Sequence, residues 1–203
     1  MTRRPPGRAT SRRSARPAPR LAAMSRYAAF LRAINIGGRR VTGQDLLACF
    51  EAMGFDDAAV FQASGNVVFS ANRESPTKLA ARIDGGLTAS LGYEVVTFLR
   101  TDEEVRAMAD QRPFPDKIVN ASKGKLQLAL LTKRPALRAR DAVLAMATDQ
   151  DRLAFNEREL YWLPSGGFAE SDLDRNRLAK VLGPMTFRTK GTIERIARKY
   201  FET

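Results

Sequence analysis

The residues best suited to bind a ligand lie immediately after the first apolar segment of the chain. Arg32 ends this segment, and Asn35, Gly37, Gly38 and Arg39 follow it just before an expected helix. Glycines let backbone N–H groups approach a ligand, a helix N-terminus carries partial positive charge, and arginines add full charges. The pattern predicts an anion site, although the spacing matches neither a P-loop nor a dinucleotide fingerprint. The alternative is a plain strand-to-helix connection.

A second polar group belongs to a predicted hairpin turn. Ser64, Gly65 and Asn66 separate two β-rich runs, and Gly and Asn suit the positive φ angles of such turns. A role in binding requires the Ser64 hydroxyl and the Asn66 amide to face the same cleft as Arg32 and Asn35.

Several catalytic classes are closed to this chain, because it has no histidine and a single cysteine, Cys49. These counts exclude Ser-His-Asp and Cys-His catalysis, histidine-based metal sites and internal disulfide bonds. Acidic residues cluster in three places and could ligate a hard cation, but two clusters open predicted helices, where acids stabilise the helix dipole. We expect no metal and no obligate cofactor.

The positive charge is unevenly distributed along the chain. Lys and Arg number 34 against 22 Asp and Glu, which gives a formal charge of +12, and seven of the arginines lie in residues 1–23. Without those seven, +5 remains from Met24 onward. The proline-rich, acid-free stretch 1–23 is expected to be disordered. It is either a basic arm for phosphate, a leader from a misassigned start, or a transit peptide.

The composition is that of a soluble globular protein, with 44% hydrophobic and 28% charged residues. No window approaches the ~18 consecutive apolar residues of a membrane span, so no membrane partner is expected. A lone thiol fits a reducing compartment, which predicts a cytoplasmic protein.

The hydrophobic periodicity predicts the same order of elements twice. Residues 24–100 and 124–203 each read as strand, helix, strand, strand, helix, strand, with a linker helix and loop over 101–123. The alternation over 126–130 predicts a half-buried strand. We therefore predict an α+β fold of two ferredoxin-like β-α-β-β-α-β units packed together.

Aromatic residues on the predicted strands invite comparison with RNA-recognition modules, whose sheets stack bases. Tyr27, Phe30 and Phe69 hold such positions, but the third strand lacks the aromatic-rich signature, so core packing is predicted.

Near the end of the chain, Arg188 and Thr192 flank the start of a helix with a basic polar side. Such a side is typical of a solvated face but could also meet phosphate.

Four segments together resemble a known bacterial family: 31–38, 62–69, 164–173 and 186–193. They are similar to the domain of unknown function 1697, whose members match in length from about Met24 onward. The resemblance implies an α+β protein of ferredoxin-like halves and carries over no activity or catalytic residues.

The chain departs from this family pattern at three places. Ala33 stands where glycine is usual, Arg112 replaces an asparagine before Pro113, and 189–191 replaces a polar-Trp-polar triplet before Thr192. If the third segment forms a ligand site in relatives, this protein should bind less well or differently.

Taken together, the sequence predicts a non-enzymatic module that captures an anionic ligand, either nucleic acid or a phosphorylated small molecule. The expected ligand-binding residues are Arg32, Asn35, Gly37, Gly38, Arg39, Ser64, Asn66, Arg188 and Thr192. One alternative is an enzyme without histidine, in which a lysine or carboxylate converges with Ser64 and Asn66 in a deep pocket. Another is a structural or oligomerising protein with a large exposed apolar patch.

Overall fold

A computed structural model describes residues 24–35, 38, 40–62, 65–72 and 74–202. This part of the chain forms an α+β structure of two four-stranded antiparallel sheets and seven helices. The elements, in order, are β1 (Met24–Arg32), α1 (Gly43–Ala52), β2 (Ala59–Val60), β3 (Asn66–Asn72), α2 (Pro76–Leu91), β4 (Val96–Thr101), α3 (Asp102–Asp110), α4 (Asp116–Ala121), β5 (Gln127–Leu131), α5 (Leu137–Leu144), β6 (Asp151–Asn156), β7 (Glu159–Pro164), α6 (Arg175–Leu182), β8 (Met185–Thr189) and α7 (Lys190–Tyr200). The expected basic tail, 1–23, lies outside the described residues.

Both sheets have the ferredoxin-like strand order. The first runs β2-β3-β1-β4 and the second β6-β7-β5-β8. In each sheet the first strand in sequence lies at the centre, between antiparallel partners. The predicted fold of two ferredoxin-like units is thus confirmed.

Several helices begin and end at residues that are typical of helix termini. The Thr101 side chain accepts a hydrogen bond from the Glu104 N–H, and the Glu104 carboxylate accepts one from the Thr101 N–H, which forms a capping box at the start of α3. Pro76 opens α2, and Gly92 ends it with φ of 77°. Helix α4 was not predicted, because a six-residue helix shows little periodicity. Among the described residues, no helix is long and apolar enough to cross a bilayer.

The two units pack with the inner faces of their sheets against each other. Phe30 and Phe98 of the first sheet share one core with Leu128, Leu130 and Tyr161 of the second. Helices α1 and α2 cover the outer face of the first sheet, and α5 and α6 cover that of the second. All five residues of β5 are therefore buried, so the expectation of a half-buried strand was wrong. Its two faces belong to different cores, which the alternating pattern could not reveal.

Helices α3 and α7 close one side of the inter-sheet core. Val105 and Met108 of α3 meet Ile193 and Ile196 of α7 in that core. Each helix follows the last strand of its unit directly: α3 follows β4, and α7 follows β8. The two helices therefore hold equivalent positions in the two units. The segment 101–123, expected to be a linker, thus contributes a packed helix as well as a connection.

Two buried arginines link the units in a reciprocal way. Arg100, at the end of β4, donates from Nε to Glu159 Oε1 at 2.8 Å and from Nη2 to Leu131 O at 2.9 Å. Its side chain is fully buried, and desolvation lowers the pKa of Arg100. The first unit thereby satisfies polar groups at the strand ends of the second unit.

Arg188, at the end of β8, makes the corresponding contacts in the opposite direction. Its Nε donates to Asn66 Oδ1 at 2.5 Å, and its Nη2 donates to the carbonyl oxygens of Leu31 and Gly65 at 3.0 and 3.3 Å. Burial lowers the pKa of Arg188 to about 10, so it remains cationic at neutral pH. We call these two sets of contacts the arginine clamps.

Replacing Arg100 by methionine should lower the free energy of unfolding by about 3–5 kcal/mol, because Glu159 would be left buried without its cation. Urea unfolding at neutral pH measures the loss. The control is Arg134→Met, which removes an exposed ion pair with Glu157 and should cost less than about 1 kcal/mol. Equal losses in the two variants would show that the buried contacts of Arg100 add no more stability than an exposed ion pair.

Candidate functional site

The two predicted loops meet at the same end of the first sheet. Strands β1 and β3 pair with Phe30 opposite Asn66, and the Leu31 N–H donates to Gly65 O at 2.7 Å. Strand β2 ends at Val60, and Asn66 is the first residue of β3 rather than part of the turn. Three candidate residues lie outside the described part of the chain: Gly37, Arg39 and Ser64.

Asn35 links the start of the loop after β1 to the residue before the N-cap of α1. Its Oδ1 accepts a hydrogen bond from the Val41 N–H at 2.8 Å. Gly38 is exposed and has φ of 79°, a conformation that strains most other residues. Arg32 is exposed at the end of β1. Asn35 therefore has a structural task, whereas the Arg32 side chain faces solvent.

Asn66 and Arg188, both candidate ligand-binding residues, contact each other in the interior. Asn66 is 1% exposed, and its Nδ2 donates to Phe61 O at 3.0 Å while its Oδ1 accepts from Arg188. These contacts assign both side chains to the joint between the units.

Thr192 lies in the first turn of α7. Its N–H donates to Oγ1 of the N-cap Thr189 at 3.2 Å, and its own Oγ1 accepts from Arg195 Nη2 at 3.4 Å. The Thr192 side chain is almost fully buried. The Thr192 hydroxyl therefore helps to position Arg195. Arg195 lines a second site, whose residues were not grouped together from the sequence.

That site is a cleft of about 710 Å³ beside helix α7, which we call the α7 cleft. Gly191, Glu194, Arg195 and Arg198 line it from α7, at spacings that place them on one helix face. The remaining walls come from the chain between the end of α3 and the start of β5. A Cβ at Gly191 would meet no atom within 4 Å, so this glycine leaves the helix surface open.

Internal contacts hold the base of the α7 cleft. The Lys190 Nζ donates to Ala109 O at 2.5 Å and to Glu194 Oε1 at 2.8 Å, which ties α7 to the end of α3. The Arg195 Nε donates to Gly191 O at 3.1 Å. These bonds fix the charged wall before any ligand arrives.

The electrostatic character of the α7 cleft is basic. Five cations line it, namely Arg112, Lys125, Lys190, Arg195 and Arg198, against two acids, Asp116 and Glu194. Within the described residues, Lys190 is the one member of the five that forms an ion pair. The others keep their charge largely uncompensated, so the cleft attracts anions.

One residue of the α7 cleft contacts the connection between β2 and β3. The Arg195 guanidinium lies over the Phe61 ring, 5.7 Å from its centre, and Phe61 belongs to the connection between β2 and β3. Sequence reasoning identified the basic side of the last helix but not Arg112 or Lys125 as its partners. A usable signal was present, because Arg112 and the segment 189–191, two of the three departures from the family pattern, both line the cleft.

Elsewhere in the described chain, no three Cys, Asp or Glu side chains gather closely enough to hold a metal ion. Glu104 and Asp174 cap helices, while Asp151 accepts hydrogen bonds from Trp162 Nε1 at 2.7 Å and Ser171 Oγ at 2.6 Å. These carboxylates therefore serve the fold.

Comparisons with known proteins identify relatives without a described activity. The sequence profile of the family described as "Protein of unknown function (DUF1697)" matches residues 24–161. No curated protein matches the chain. A solved structure, that of the conserved bacterial protein SP0830 from Streptococcus pneumoniae, is 18% identical, with 87% of this chain and 98% of that chain covered and a TM-score of 0.65. At this identity the likeness shows a shared fold.

The Asn66→Ala variant should lose about 1–3 kcal/mol of unfolding free energy, because the buried Arg188 loses an acceptor. Urea unfolding tests this, with Asn72→Ala at the exposed end of β3 as the control, expected within about 0.5 kcal/mol of the parent. Unchanged stability in Asn66→Ala would contradict the structural role and return Asn66 to the ligand candidates.

Proposed function

The chain belongs to the DUF1697 family of proteins of unknown function, and from the chemistry of its own surface we propose that it is a non-enzymatic module binding a phosphorylated small molecule in the α7 cleft. The observation that carries this proposal is the excess of three positive charges around one concave site. Charge-assisted hydrogen bonds from arginine and lysine are the strong contacts available to phosphate.

The position of the cations supports phosphate binding over a general surface charge. Arg195 and Arg198 lie one turn apart on α7, and Arg112 and Lys125 lie on segments that face the same cavity. The Arg112 Nη1 donates to Ala109 O at 3.1 Å, which orients its guanidinium and leaves other N–H groups for a ligand. Cations from three segments of the chain thus face the cavity that would receive a phosphorylated ligand.

The dimensions of the α7 cleft favour a small molecule over a polymer. Its volume lies within the range of about 300–1,000 Å³ typical of small-molecule pockets. RNA-recognition modules stack bases on an open sheet face, but here each inner sheet face is covered by the other unit, and Tyr27, Phe30 and Phe69 are all buried. That mode of nucleic-acid binding is therefore closed in this fold.

A cytoplasmic location is part of the proposal. Cys49, the single cysteine, is buried in α1. A lone reduced thiol suits a reducing compartment.

Arg198→Gln should weaken binding of inorganic pyrophosphate about tenfold, because hydrogen bonds to charged groups contribute roughly 1.5–3 kcal/mol each. Isothermal titration calorimetry of the full chain at low and high salt measures this. The matched control is Arg138→Gln on α5, an exposed arginine away from the cleft, which should bind within about twofold of the parent.

The same titrations contain the outcomes that oppose the proposal. If Arg198→Gln and Arg138→Gln weaken pyrophosphate binding equally, then the overall charge of the protein, and not the α7 cleft, attracts the anion. Random-sequence RNA that binds more tightly than pyrophosphate, and does so through Arg198, would make a polymer the ligand and overturn the small-molecule proposal.

A further inference from the structure

We infer that the ligand of the α7 cleft carries an aromatic or heterocyclic ring in addition to its phosphate, as a nucleoside phosphate does. This inference rests on the proposed function and adds the chemical class of the ligand to it.

The first observation is that part of the α7 cleft is apolar. Pro113, Phe114, Val119 and Leu126 line it away from α7, and all four are half-buried. An inorganic anion leaves this surface in water, whereas a flat ring removes it from water, which is favourable in proportion to the apolar area covered. The cleft therefore has one part that suits charge and another that suits a hydrophobic group.

Phe114 is the side chain placed to stack on such a ring. It packs against the inter-sheet core and also lines the α7 cleft, so its position is fixed before binding. Arg112, two residues earlier, lines the same cleft, and a guanidinium can stack on an aromatic face. Stacking of a base on an aromatic side chain typically strengthens binding about tenfold or more.

A third observation concerns the edge of the ring. Gln111 lines the cleft beside these residues, and its side-chain amide offers both a donor and an acceptor, as a heterocycle edge requires. The phosphate would then meet Arg195 and Arg198 on α7. The distribution of residue types thus matches a ligand with a charged end and a ring at the other end.

The test compares adenosine monophosphate with ribose 5-phosphate, which differ only in the base. Calorimetric titration of the full chain should give about tenfold tighter binding of adenosine monophosphate. In Phe114→Leu this preference should fall to about twofold or less, because leucine stays apolar but removes the ring face on which the base stacks.

A second variant keeps the test valid if Phe114→Leu fails to fold. Gly191→Leu should weaken binding of adenosine monophosphate by narrowing the α7 cleft, without lowering the unfolding midpoint, because its Cβ enters open space. Its matched control is Gly85→Leu in α2, an exposed helical glycine where a Cβ also meets no atom within 4 Å, and binding there should be unchanged.

The possible results separate this inference from the proposed function. If neither pyrophosphate nor adenosine monophosphate binds, both are wrong. If pyrophosphate binds but the base adds no affinity, or if Gly191→Leu leaves adenosine monophosphate binding intact, the α7 cleft takes no aromatic ligand and the inference alone is overturned.

Discussion

The arginine clamps are the interaction on which the rest of this structure depends. Packing the two sheets face to face removes the strand ends near Leu31 and Leu131 from water, and a buried carbonyl without a donor is costly. A guanidinium carries five N–H donors in one rigid plane, so one side chain serves several carbonyls at once. Each unit supplies this group to the other, which makes the joint between them reciprocal.

The position of the α7 cleft follows from one of these clamps. Arg188 fixes the end of β8 against the first unit, Thr189 caps the next helix, and Gly191 comes two residues later. Because only a few residues separate Arg188 from Gly191, the position of the first turn of α7 has little freedom. The buried contacts of Arg188 therefore determine where the charged residues of α7 lie. Lys190 completes the arrangement by tying the same turn to the end of α3 through Ala109 O.

Much of the fold could be predicted from local sequence. Caps such as Thr101 and Gly92, together with the repeated element order, gave the helices and the two ferredoxin-like units. The burial of Arg100 could not be predicted, because the acids close to it in sequence, Asp102 to Glu104, are typical of a solvated charged segment. Its actual partner, Glu159, approaches it only through the tertiary fold. The candidate cleft was missed for the same reason. Its walls come from segments more than sixty residues apart, and no periodic pattern relates them.

The two clamps differ in one chemical respect. Glu159 receives the Arg100 guanidinium, whereas the corresponding position at the start of β3 is Asn66, which receives Arg188. An amide in place of a carboxylate removes one negative charge from that end of the joint. The internal symmetry of the backbone is thereby broken by charge, so the molecule has an electrostatic polarity. Of two ends with the same architecture, the one next to α7 is the more attractive to an approaching anion.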